Sequence, residues 1–211
     1  MNDRAPDNYL VYDFVRATAL PGLLWFRPRR LYADQEARKR IRGGAIVIAN
    51  HMGHFDPVYL MMAIWYRRHH FVCTKEFFEG RFSSWLFSRF HCIPIDRDNF
   101  SMESLRRITD ELRAGRLVSL FPEGRITASS DVAPFKSGMV LMAMKSETPI
   151  VPVYICPRKH WYSRLTVCIG RPLDVIAEMG GRPSLTKMNE VAALLEEKER
   201  ELIALAEQAG R

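Results

Sequence analysis

Five consecutive apolar residues, Ala45-Ile46-Val47-Ile48-Ala49, set the tightest constraint on this chain's fold. A run this short and uniformly apolar reads as a buried strand. It stops at a polar stretch, Asn50-His51-Met52-Gly53-His54-Phe55-Asp56, and a helical segment follows from Pro57 to Tyr66. Asp56 suits the helix cap and Pro57 the first turn. His51 and Asp56 therefore share one tight strand-to-helix loop. An imidazole and a carboxylate held that close serve as a general base and the group that orients it. The same residues also have plainer readings. Asp56 is then only a helix cap and His51 only a polar loop residue. Alternatively His51, His54 and Asp56 form the metal site of a hydrolase, although the pattern His-x-His-x-Asp-His is absent.

The strand-then-polar-cluster pattern recurs. Apolar runs at 71–73, 92–95, 117–121, 150–155 and 165–169 read as strands. Helical periodicity lies between them: Ser101 caps a helix with Leu105, Ile108 and Leu112 on one face, and Gly115 ends it. Residues 137–145 form a Met-rich helix. Residues 184–209 form a long one, with a stripe at Met188, Val191, Leu195, Leu202 and Leu205 and a charged face read as solvated. Such alternation predicts an α/β fold with a mostly parallel central sheet flanked by helices. Ligands bind at strand carboxyl ends in such sheets. The Asn50–Asp56 loop, Asp96-Arg97 and Glu123-Gly124-Arg125 all follow strands, so they are expected to converge. The aromatic stretch at 77–90 fits core, or the lining of a groove for a fatty chain.

Before this α/β domain (45–211), residues 1–44 read as a separate segment. Residues 8–26 carry Tyr9, Leu10, Tyr12, Phe14, Leu23, Leu24, Trp25 and Phe26, interrupted by Asp13, Arg16 and Pro21-Gly22. Arg27, Arg29, Arg30, Arg38, Lys39, Arg40 and Arg42 follow. This fits an interfacial membrane anchor with Trp25 and Phe26 at headgroup depth. It fits equally an amphipathic helix packed on the domain. The net charge of +7 and pI near 9.4 call for an anionic partner. No nucleic-acid motif accompanies the basic cluster, so nucleic acid is not expected. No uncharged apolar run approaches the ~20 residues of a spanning helix, and Met1–Asp7 lacks a signal-peptide pattern. The expected location is the cytoplasmic face of a membrane, peripherally bound. Cys73, Cys92, Cys156 and Cys168 read as reduced core thiols.

Taken together, four stretches resemble the motifs of the glycerolipid acyltransferases, the lysophosphatidic acid acyltransferase family. Asn50-His51 to Asp56 matches Asn-His, four residues, Asp, with Gly53 where Ser is common. Pro94-Ile95-Asp96-Arg97 matches apolar-Ile-x-Arg, although His91 and Pro94 stand where Gly and Phe are usual. Phe121-Pro122-Glu123-Gly124-Arg125-Ile126-Thr127 matches Phe-Pro-Glu-Gly-Thr-Arg-Ser, with the arginine one place early. Pro149-Ile150-Val151-Pro152-Val153 matches the Pro-rich fourth motif, and Phe135-Lys136-x-Gly138 also fits. The resemblance runs from about the opening helix to the strand near 169.

The resemblance implies transfer of a fatty acyl group from acyl-CoA or acyl carrier protein to the free hydroxyl of a lysophospholipid. The foremost acceptor is 1-acyl-sn-glycerol-3-phosphate, giving phosphatidic acid in phospholipid biosynthesis. The Gly-Arg-Ile-Thr variant keeps lysophosphatidylethanolamine, glycerol-3-phosphate or an amino-acid lipid as alternatives. His51 is then the catalytic base and Asp56 its orienter. Arg97 and Arg125 clamp the acceptor phosphate as guanidinium forks. Glu123, beside Gly124, bonds glycerol hydroxyls or holds an arginine, and Lys136 and Lys75 are further phosphate contacts. No metal or cofactor is implied beyond the acyl donor. A membrane-lipid substrate favours the interfacial reading of the opening segment.

Overall fold

The computed structural model describes residues 8–19, 21–22, 28–96, 100–124, 126, 135–158, 160, 163–180 and 184–210. Seven strands lie in one sheet: β1 Arg29–Tyr32, β2 Ala45–Ala49, β3 His69–Thr74, β4 Ile93–Ile95, β5 Leu117–Leu120, β6 Ile150–Ile155 and β7 Thr166–Ile169. Their order is β1-β7-β6-β2-β5-β3-β4. All neighbours are parallel except β6 and β7. The helices are α1 Leu10–Thr18, α2 Asp56–Ala63, α3 Arg81–Arg89, α4 Met102–Arg113, α5 Gly138–Ser146, α6 Val175–Met179 and α7 Leu185–Gly210, with a 3₁₀ turn at Lys75–Phe78.

Central β2 is buried at all five residues. Ile46 and Ile48 pack on one face with Ile108 and Leu112 of α4, Val140 of α5 and Leu195 of α7. Ala45, Val47 and Ala49 pack on the other with Leu60 and Met62 of α2. Burial on both faces is why this strand carries no polar residue, and parallel sheets covered by helices show that pattern. Gly44 leads into β2 where a Cβ would collide with the carbonyl oxygen of Leu112. The α4 cap forms as the sequence dictates: the Ser101 hydroxyl accepts from the Ser104 amide at 3.1 Å, and Gly115 ends the helix at φ 78°.

One region differs from the sequence reading, and a second follows one of the two alternatives that reading left open. Arg29–Tyr32, read as part of a basic segment, is an edge strand: the Arg29 amide donates to the Leu165 carbonyl at 2.7 Å. An edge strand needs little apolar patterning, so its Arg-Arg start concealed it. The opening helix α1 is docked on the domain. Tyr12 is 1% exposed, and its hydroxyl accepts from the His69 amide at 2.9 Å. Arg68 donates to both oxygens of Asp13 at 2.9 and 2.6 Å. Tyr9 stacks on His91, ring centroids 3.9 Å apart. Leu10 and Phe14, by contrast, face outward, 73% and 69% exposed. Trp25, Phe26 and Arg27 lie outside the described residues. No helix among the described residues is long and apolar enough to cross a membrane.

Candidate active site

Asp56 is the first residue of α2, and its side chain does not cap that helix. Its Oδ2 turns back over the loop and accepts from the amides of Met52 (2.6 Å) and Gly53 (2.7 Å) and from His51 Nδ1 (3.0 Å). The carboxylate is 3% exposed. The helix-cap reading therefore gives way, because the loop's own amides and the His51 ring hold the carboxylate. A carboxylate only accepts, so the proton of the neutral imidazole sits on Nδ1 and Nε2 keeps its lone pair. The His51 side chain remains 18% exposed, which leaves Nε2 a route to a substrate.

Three strand ends meet around this pair. From β5, the Phe121 ring stacks on His51 with centroids 4.2 Å apart. Phe121 opens a turn in which the Gly124 amide donates to the Phe121 carbonyl at 3.0 Å. Gly124 has φ +65°, a left-handed conformation that glycine adopts without strain. From β6, Ile155 is pinned to the loop by Asn50: the Asn50 amide nitrogen donates to the Ile155 carbonyl (3.1 Å), and the Ile155 amide donates to Asn50 Oδ1 (2.7 Å). The first and third sequence motifs thus touch, and both stand at the carboxyl ends of neighbouring parallel strands. Asn50 and Phe121 were not singled out from sequence as site residues. The signal available was their position, immediately beside His51 and Pro122-Glu123-Gly124.

The remaining expected residues fall as follows. Lys75, just after β3, donates to Asp96 just after β4 at 2.6 Å. The pair ties two strand ends together, and two further N–H donors of Lys75 stay open to a phosphate. Lys136 is exposed, two residues before α5; its neighbour Phe135 donates its amide to Glu196 Oε1 at 2.8 Å. Arg97, Arg125 and Thr127 lie outside the described residues. Glu123 is half-buried. It acts electrostatically on Glu199 of α7: burial first, then the charges of Glu123 and Glu196, push the Glu199 carboxyl up to about 8. Glu199 is 4% exposed, a departure from the solvated polar face expected of this helix. His54 is exposed, and among the described residues no group of three His, Cys, Asp or Glu side chains is placed to hold a metal.

An imidazole bonded to a buried carboxylate, at the carboxyl edge of a mostly parallel α/β sheet, is an arrangement suited to group transfer. Residues 29–156 match the family model described as Acyltransferase, more than half of the chain, and the protein belongs to that family. Among its relatives, the 1-acyl-sn-glycerol-3-phosphate acyltransferase of Bacillus subtilis (strain 168) is 27% identical over 164 residues, 75% of this chain and 81% of that protein. The 1-acyl-sn-glycerol-3-phosphate acyltransferase of Streptococcus pneumoniae (strain ATCC BAA-255 / R6) is 32% identical over 136 residues, 62% of this chain and 50% of that protein. The fold is shared with the crystal structure of the 1-acyl-sn-glycerophosphate (LPA) acyltransferase PlsC from Thermotoga maritima, at a TM-score of 0.66 and 19% identity, covering 92% of this chain and 79% of that one.

Proposed function

We propose that this acyltransferase esterifies the free hydroxyl of 1-acyl-sn-glycerol-3-phosphate, giving phosphatidic acid, with acyl-CoA or acyl carrier protein as donor. The observation that carries the reading is the His51 Nδ1–Asp56 contact, which leaves Nε2 open as a base. Nε2 takes the proton of the acceptor hydroxyl as its oxygen attacks the thioester carbonyl carbon. The tetrahedral intermediate collapses, the C–S bond breaks, and the departing sulfur takes the proton back from Nε2. Asp56 stabilises the imidazolium between these steps. A thioester is already activated, so no acyl-enzyme and no metal or other cofactor is required. Arg97 and Arg125 hold the acceptor phosphate in this scheme, with Glu123 and Gly124 shaping the turn beside it. Lys136 and Lys75 supply further positive charge.

The acceptor resides in a bilayer, so the enzyme works as a peripheral protein at the cytoplasmic face of the membrane. The outward pair Leu10 and Phe14 supports this. The basic surface also suits an acidic carrier protein. A second reading, lysophosphatidylethanolamine as acceptor, is favoured by Ile126 in the slot where the third motif usually has arginine. Purified protein offered one labelled acyl donor and a panel of lysophosphatidic acid, lysophosphatidylethanolamine and glycerol-3-phosphate tests both. Highest kcat/KM on lysophosphatidic acid supports the proposal; preference for lysophosphatidylethanolamine selects the second reading.

A further inference from the structure

All four cysteines are free thiols, and two of them touch. The Sγ atoms of Cys156 and Cys168 are 3.9 Å apart. Cys168 lies in β7, and Cys156 is the first residue past β6. These strands run antiparallel, with Tyr154 opposite Cys168 and Ile155 opposite Val167. The Cys156 amide continues the ladder by donating to the Thr166 carbonyl at 3.0 Å. Cys156 therefore stands diagonal to Cys168 on the same face of the sheet. Leu202, Leu205 and Ala206 of α7 pack on that face. Cys168 is fully buried there, whereas Cys156 is half-buried.

The two thiols are not equivalent. Cys156 is open to a small solute. The hydrogen bond from Cys168, and then the charge of Arg29, hold its thiol below the usual range against the opposing effect of burial. The same contact, together with burial, pushes the Cys168 thiol up. A reachable sulfur with thiolate character, touching a second thiol, is the pattern of a cysteine that is oxidised and then resolved.

We propose that Cys156 is a modification site for hydroperoxides, and that Cys168 resolves the oxidised sulfur as a disulfide that slows acyl transfer. With hydrogen peroxide, the Cys156 sulfur attacks one oxygen and the O–O bond breaks. A sulfenic acid forms, and the other oxygen leaves as water with the thiol proton. The Cys168 sulfur then attacks the sulfenic sulfur. The S–O bond breaks, and its hydroxide leaves as a second water with the Cys168 proton. Two thiols lose two electrons, and one peroxide is reduced to two waters. The bridge reaches the active site through the backbone. Residues diagonal across two strands have Cα atoms about 7–8 Å apart, and a disulfide spans roughly 4.4–6.8 Å. The strands must therefore shift to close it. Ile155, beside Cys156, holds Asn50 by two hydrogen bonds, and Asn50 directly precedes His51. A displacement of about 1 Å at a catalytic group costs roughly 10²-fold in rate. The effect on turnover rests on His51 being the base of the proposed reaction; the bridge itself does not.

The test treats the full chain with hydrogen peroxide and then with dithiothreitol. Peptide mass mapping should find a Cys156–Cys168 bridge within one chain, and alkylation should leave Cys73 and Cys92 as the free thiols. Acyl transfer should fall roughly 10–100-fold and return with dithiothreitol. Cys156→Ser and Cys168→Ala should each keep kcat within about twofold of reduced wild type and lose the response to peroxide; the second variant serves if the serine disturbs the fold. Cys73→Ser should respond as wild type does. Cys156 and Cys168 both still open to alkylation after peroxide would overturn the site. So would a bridge between two chains, or a response that survives Cys156→Ser and vanishes in Cys73→Ser. A mapped bridge with unchanged kcat would overturn its effect on turnover. Reduced protein that transfers no acyl group would refute the proposed function instead, and the mapping would still decide the bridge.

Discussion

His51 and His69 sit at opposite ends of a column of near-parallel rings. His51 stacks on Phe121 (4.2 Å, 19°), Phe121 on Phe71 (6.4 Å, 5°), and Phe71 on His69 (5.5 Å, 12°). Their surroundings assign them different chemistry. His51 has a carboxylate on one nitrogen and access on the other. His69 is fully buried, bonded to the Ser119 hydroxyl at 2.8 Å, and burial pushes its pKa down to about 3. A carboxylate partner together with an open face suits an imidazole to act as a base; burial beside a hydroxyl makes it a neutral packing element. Sequence alone does not separate the two, since each histidine adjoins a strand.

The sharpest way to break this contrast is His51→Ala. It should lower kcat about 10²–10⁴-fold, the usual contribution of a positioned base, measured as labelled acyl transfer with far-ultraviolet dichroism unchanged. Next is Asp56→Asn, which keeps an acceptor for the Met52 and Gly53 amides but stops enforcing the tautomer. Its kcat should fall roughly 10²–10³-fold with KM little changed; wild-type kcat would show that Asp56 is only a loop clasp. For His69 the effect is on stability. Its folded pKa is depressed from 6.5 to about 3, so the native state holds it neutral. The stability at stake is complete above pH 6.5 and is lost as pH falls towards 3, on the order of a few kcal/mol. His69→Gln should flatten that limb of a Tm-against-pH curve, and an unchanged slope would contradict the assignment.

Glu199 gives the opposite sign. Its carboxyl is raised from 4.5 to about 8, so the fold prefers it protonated. Its penalty is absent below pH 4.5, grows between 4.5 and 8, and is complete above. Glu199→Gln should therefore gain on wild type across that window, by roughly 1–3 kcal/mol at its upper end. A difference independent of pH would show that Glu199 is not held neutral. The smallest effect expected is for Phe121→Leu. Loss of the ring stack behind His51 should cost tenfold or less in kcat, about 1 kcal/mol.

The parts legible in sequence were those whose causes are local. Ala45–Ala49 is apolar throughout because both its faces are covered, and His51 and Asp56 lie five positions apart, so their meeting needs only one loop. The Ser101 cap and the Gly115 stop are equally local. What sequence concealed depends on distant partners. Asn50 bonds Ile155, 105 residues away, and Arg68 clasps Asp13 across 55, which is what docks α1. The sequence left Asp56 two readings, helix cap or partner of His51, because an Asp before Pro looks the same in both; the structure shows the contact with His51 and no cap. Glu199 was hidden in plain view: it occupies the position between Leu195 and Leu202 that the apolar stripe of α7 leaves open. His91 explains one departure from the motif. It stands where the resemblance leads one to expect glycine, and its φ is +54°, a left-handed conformation that costs a side chain energy. Its stacking on Tyr9 offsets that strain.

The central claim is that Asp56 holds the His51 proton on Nδ1 and leaves Nε2 to take the acceptor's proton. Nitrogen-15 NMR of selectively labelled protein reads that tautomer directly. The account predicts a neutral His51 protonated at Nδ1 in wild type and a mixture of tautomers in Asp56→Ala. A wild-type His51 protonated at Nε2 would contradict it.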